Sequence, residues 1–111
     1  MTFNYNKNDM NTITFLIKDY IDSANDMAVA GKAVSDDAKP ILEKGDIIIF
    51  DMNGLQSVST VFLNTSFGFL IDEYGLEKVK KSFKFHNILR TQGERIRKYF
   101  EDYQLSTASS R

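Results

Sequence analysis

At 111 residues, 42% of them hydrophobic and 26% charged, the chain is long enough for one domain with a modest core, and its composition is that of a folded protein. It has no cysteine, which excludes a disulfide framework, a thiolate nucleophile and a thiolate metal site. The net charge is −1 but unevenly spread: residues 1–60 hold nine acids against five lysines, and the remainder holds nine bases against six acids.

The first residues, Met1-Thr2-Phe3-Asn4-Tyr5-Asn6-Lys7, lack the basic-then-apolar order of a signal peptide. The longest apolar run, Ile47-Ile48-Ile49-Phe50, is far short of the ~20 residues that cross a bilayer. A soluble, cytoplasmic protein is the expectation. Thr2–Tyr5 is a candidate strand, turning at Lys7-Asn8-Asp9 into a hairpin with Thr12–Ile17, where Ile13, Phe15 and Ile17 share one face. Val34, Ala38, Ile41 and Leu42 follow at helical spacing. Pro40 then implies either a kink there or a helix that begins near Ser35.

Gly45-Asp46 turns the chain into Ile47–Asp51, an apolar run that fits a central strand buried on both faces. Past Asn53-Gly54 comes the clearest helix, with Leu63, Phe67, Leu70, Ile71 and Tyr74 on one stripe. Ser59 or Thr60 is placed to cap its start, and Gly75 sits where a left-handed cap would end it. Ser82–His86 alternates as a half-buried strand. Thr91-Gln92-Gly93-Glu94 has capping-box spacing and opens a last helix with the stripe Ile96, Tyr99, Phe100 and Tyr103. Residues 106–111 read as a flexible tail, leaving 1–105 as the domain. The expected fold is α/β, a small, mostly parallel sheet of about four strands with about three helices packed on it through right-handed crossovers.

Chemistry-bearing patterns are sparse. His86 is the only histidine and has no sequence neighbour suited to orient it as a base. The adjacent acids Asp36-Asp37 are explained by a helix start, so no metal is expected. Neither phosphate-binding glycine motif occurs, and no cofactor or catalytic residue is predicted. Asn64-Thr65-Ser66 matches glycosylation spacing by coincidence in a chain read as cytoplasmic. Arg90, Arg95, Arg97 and Lys98 are a minor candidate for nucleic-acid contact, with Glu94, Glu101 and Asp102 placed to balance them.

One segment is richer than a connection needs. Residues 51–64 pass from a buried strand to an amphipathic helix through Gln56, Ser57, Ser59 and Thr60. Those side chains either cap the helix or frame an anion site at its free N–H groups.

The run Gly45–Leu55, then Ser57-Val58-Ser59-Thr60, then Phe62–Leu70 resembles a bacterial family of STAS-like domains. Its relatives read as a strand ending in Asp-Phe-x-Gly-Val, a short Ser/Thr stretch and Ser-Phe-Leu-Asn-x-x-Phe-Gly. The resemblance is specific over residues 45–75 and compatible over most of the chain. It implies a STAS-like fold and a distant kinship with anti-sigma-factor antagonists, which bind an ATP-binding, kinase-like partner and are released by serine phosphorylation at this junction. It therefore implies a non-enzymatic protein-binding module with Ser57, Ser59, Thr60 and Asn64 at the partner surface. By register the usual acceptor position is Val61, which carries no hydroxyl, so Thr60 and then Ser59 are the remaining candidate phospho-acceptors. Thr60 is expected to be an unmodified helix cap. The alternative reading is a mobile-element or defence-associated protein that binds and modulates a host enzyme through the same scaffold.

Overall fold

The computed structural model describes residues 11–109, with side chains to residue 105. Its elements run β1 (Thr12–Leu16), α1 (Ile17–Ser23), α2 (Met27–Lys44), β2 (Ile47–Asp51), α3 (Thr60–Leu63), a π-helical turn (Asn64–Gly68), α4 (Phe69–Tyr74), α5 (Leu76–Ser82), β3 (Phe83–His86) and α6 (Arg90–Ser109). The stretch from α3 through α4 is one uninterrupted rod, referred to below as the 60–74 helix.

β2 lies between β1 and β3, and both pairings are parallel. The register sets Phe15 beside Phe50 and Phe50 beside Phe85, and Ile48 beside Ile13 and Phe83. These side chains share one face, because strand residues alternate sides. On that face Phe67 of the 60–74 helix meets Phe50 at 5.1 Å and Phe83 at 5.0 Å between ring centroids. Val34, Ala38 and Leu42 of α2 join the same buried core. On the opposite face Thr12, Thr14, Leu16, Lys84 and His86 are exposed.

Five helices among the described residues, counting the 60–74 helix once, replace the expected three, and three strands replace four. The candidate strand Thr2–Tyr5 lies outside the described residues. Ile17 opens α1 instead of ending β1, and α5 was not foreseen at all. Both are two-turn helices, too short to show a repeating apolar stripe. α2 starts at Met27, where Asp26 caps it by accepting from the Val29 N–H at 2.9 Å. Pro40 therefore sits well inside α2. Asp36, whose carbonyl loses its intrahelical donor to Pro40, is exposed, so solvent can take the donor's place.

Gly75 does end the 60–74 helix with φ 92°, but ψ is 150°, outside the left-handed helical region expected for it. The capping box of the last helix is shifted two residues. Gln92 Oε1 accepts from the Leu89 N–H at 2.9 Å, so Leu89 and Gln92 hold the positions assigned to Thr91 and Glu94. α6 continues to Ser109, past the point where the domain was expected to end.

Candidate partner-binding surface

The junction between β2 and the 60–74 helix begins at Asp51. Its carboxylate accepts from Asn87 Nδ2 and from the Asn53 N–H, each at 2.9 Å, so one side chain ties together the loops that follow β2 and β3. The bond from Asn87, and then that from Asn53, hold the Asp51 carboxyl below the usual carboxylate range. Gly54 turns with φ 85°, and the Lys18 side chain lies across it.

α6 supplies the rest of the scaffold. Gln92 is buried and donates from Nε2 to the Leu55 carbonyl at 2.9 Å, so its one amide braces both the junction and the start of its own helix. Arg95 donates from Nε to the Val58 carbonyl at 2.8 Å and from Nη2 to Thr60 Oγ1 at 2.6 Å. Further along, Tyr99 donates to Asn64 Oδ1 at 2.7 Å, and Tyr103 reaches the Gly68 carbonyl and Asp72 Oδ1 at 3.3 Å each. Burial raises the Tyr99 and Tyr103 phenols above their ordinary range.

These contacts sort the four residues expected at the surface. Ser59 is the helix cap, accepting from the Phe62 N–H at 3.1 Å. Thr60 is not a cap; its hydroxyl is turned to Arg95. Thr60 lines a groove of about 660 Å³ between the 60–74 helix and α6, Asn64 accepts from Tyr99 of its wall, and Ser57 lies exposed in the loop before them. Sequence reasoning missed Gln92 and Arg95 as junction residues. It read Tyr99 and Tyr103 only as a packing stripe.

The other side of the helix is apolar. Val61 is 50% exposed, Phe69 47%, and Val29 of α2 50%. Phe69, Val29, Ala28, Ala33 and Thr65 border a second groove of about 430 Å³, with the Lys32–Asp36 pair (3.2 Å) at its rim. The π-helical turn lies along this groove. Ser66 and Thr65 donate hydroxyl bonds back to the Phe62 and Val61 carbonyls at 2.6 and 2.9 Å. Such turns are rare and frequent at functional sites.

On α6, Arg90, Arg97 and Lys98 each pair with the carboxylate one turn on, Glu94, Glu101 and Asp102. Those cations belong to a solvated helix face. His86 is exposed at the end of β3. Among the described residues no three His, Cys, Asp or Glu side chains converge as metal ligands, and no helix is long and apolar enough to cross a membrane.

Comparison with protein families matches residues 30–89 to the STAS-like domain of unknown function. The match covers the junction and more than half of the chain, and the chain belongs to that family. No curated protein and no solved structure matches it.

Proposed function

We propose that this STAS-like domain is a cytoplasmic, non-enzymatic module that binds a protein partner through the exposed face of the 60–74 helix and its groove with α2. The observation that carries the reading is the run of half-exposed apolar side chains Val61, Phe69 and Val29 beside a π-helical turn. Exposed apolar groups gathered on one face and rimmed by polar ones mark protein interaction sites, and an aromatic such as Phe69 is the kind of side chain enriched at their core. Kinship with the anti-sigma-factor antagonists favours a regulatory partner, in the first place an ATP-binding, kinase-like one.

Binding is constitutive in this reading. Val61 has no hydroxyl, and the Thr60 hydroxyl is engaged by Arg95. The surface is therefore suited to steady apolar contact, with no phosphate to break it.

The test compares proteins cross-linked in their own cells to the wild-type domain and to a Val61→Asp/Phe69→Asp variant of equal melting temperature. A partner that binds the purified wild-type domain directly and loses about tenfold or more in affinity for the variant supports the reading. Equal affinity for both removes this face from the interface. Stoichiometric phosphate on Thr60, with binding lost in Thr60→Glu, would replace the constitutive contact by a switch.

A further inference from the structure

We propose that the groove between the 60–74 helix and α6 binds a small organic anion, a carboxylate or phosphate monoester on an aromatic or apolar body, with Arg95 as its anchor. This site lies on the opposite flank of the helix from the apolar face and does not depend on the partner reading.

The groove, at about 660 Å³, falls within the usual size of small-molecule sites, roughly 300–1,000 Å³. Its lining has the usual make-up too: Leu63, Tyr99 and Tyr103 provide apolar and aromatic walls, and Thr60, Arg95 and Lys98 the polar groups.

The charges decide the sign of the ligand. Glu94 and Asp102 also line the groove, but Arg90 neutralises the first at 3.2 Å and Lys98 the second at 3.4 Å. Arg95 alone among the cations of α6 has no carboxylate partner within the described residues. An arginine stays charged at any physiological pH. Its two hydrogen bonds go to neutral oxygens, Val58 O and Thr60 Oγ1, which fix the plane of the guanidinium without discharging it. Among the described residues the remaining N–H groups have no protein acceptor, and a planar donor fork held in this way matches the two oxygens of a carboxylate or phosphate. The flanking rings of Tyr99 and Tyr103, 5.4 Å apart, then give an aromatic body a wall to lie against.

The experiment is an amide and arginine-side-chain NMR titration of the full chain with phenyl phosphate, benzoate, inorganic phosphate and the neutral benzyl alcohol. The expected result is saturable shifts at Thr60, Leu63, Arg95 and Tyr99 with phenyl phosphate or benzoate. Inorganic phosphate and benzyl alcohol should each bind about tenfold more weakly, and Arg95→Gln should lose about tenfold. If Arg95→Gln does not fold, Arg95→Lys serves in its place, since it keeps the charge and loses the fork. A preference for phenyl phosphate over benzoate identifies a phosphate ester as the ligand class, and the reverse a carboxylate. No saturation by about 10 mM, equal binding of benzyl alcohol, or shifts centred on Lys78, Lys80 and Lys81 would each overturn the proposal.

Discussion

On its α2 side the 60–74 helix meets Gly31 so closely that a Cβ there would overlap Thr65 Oγ1 and stand 2.8 Å from the Phe62 carbonyl oxygen. On its α6 side Gly68 faces the hydroxyl ends of Tyr99 and Tyr103, at 2.8 and 3.0 Å from a Cβ placed on it, and the one backbone atom near that Cβ, the Leu63 carbonyl oxygen, stands at an ordinary 3.7 Å. The first flank is backbone against backbone and cannot yield without moving a helix. The second is a row of side-chain hydrogen bonds from Gln92, Arg95, Tyr99 and Tyr103, which can rearrange one at a time. One helix thus has a rigid apolar flank suited to a fixed docking surface and an adjustable polar flank suited to a ligand.

The largest expected effect breaks both flanks together. Phe67 packs on Phe50 and Phe83 of the sheet and stacks on Phe100 of α6 at 6.0 Å. Phe67→Ala should cost about 3–5 kcal/mol in urea unfolding. Set against the roughly 5–15 kcal/mol of a typical domain, that leaves little. An unchanged midpoint would mean that the helix is not the centre of the core.

Separating the flanks is the next test. Gly31→Ala should destabilise by about 1–3 kcal/mol, because overpacking against a carbonyl outweighs the helix propensity gained. Adding Thr65→Ala should recover part of this loss and no more, since the Phe62 carbonyl remains in the way. Gly68→Ala should cost less than about 1 kcal/mol, the tyrosine ends being free to shift. Equal costs at the two glycines would erase the distinction.

The same contrast explains what could be read from the sequence. The apolar periodicities of Val34–Leu42 and Leu63–Tyr74, and the run Ile47–Phe50, located α2, the 60–74 helix and the central strand, because burial imposes a period that composition reveals. The polar flank was illegible. Arg95 looked like one more base in a basic helix, and only the fold brings it to Val58 and Thr60, 37 and 35 residues earlier. Gln92 stood only between Thr91 and Glu94, the residues assigned to the capping box, and its bond to Leu55 is a long-range one. Ser59 and Thr60 could not be told apart as caps, since either hydroxyl lies within reach of a free N–H. The structure gives the cap to Ser59, so Ser59→Ala should cost about 1 kcal/mol in thermal unfolding. Thr60→Ala should cost clearly less, as it leaves the cap in place.

Alkaline pH should loosen the polar flank. The Tyr99 and Tyr103 phenols are held above the ordinary value mainly by burial, whereas in the unfolded chain they ionise near pH 10. A raised folded value means stability that is fully present below about pH 10 and lost as pH climbs towards the folded values. Tyr20, raised by burial and by Asp37, and Tyr74, raised to about 12 by the bond its hydroxyl donates to Glu43, add to the same loss near α1 and α2. Urea midpoints taken between about pH 8 and 11 should therefore fall with pH, and a Tyr99→Phe/Tyr103→Phe variant should fall less steeply. An identical slope in that variant would show that α6 is not the pH-sensitive flank.

The smallest effect is the sharpest test of the apolar flank. Ser35 lies one turn beyond Gly31 on α2, is 1% exposed, and its Oγ has no hydrogen-bond partner among the described residues. A buried hydroxyl with nothing to bond has already lost its water and gained nothing in return. Replacing it with alanine removes that cost, adds some helix propensity and leaves a void of a single oxygen atom. Ser35→Ala should therefore change stability by less than about 0.5 kcal/mol or raise it, in contrast to the typical destabilisation of about 1 kcal/mol for a point mutation. A loss of about 1–3 kcal/mol would mean that the hydroxyl is hydrogen-bonded after all. The α2 flank would then be wetter and less rigid than its close approach at Gly31 implies.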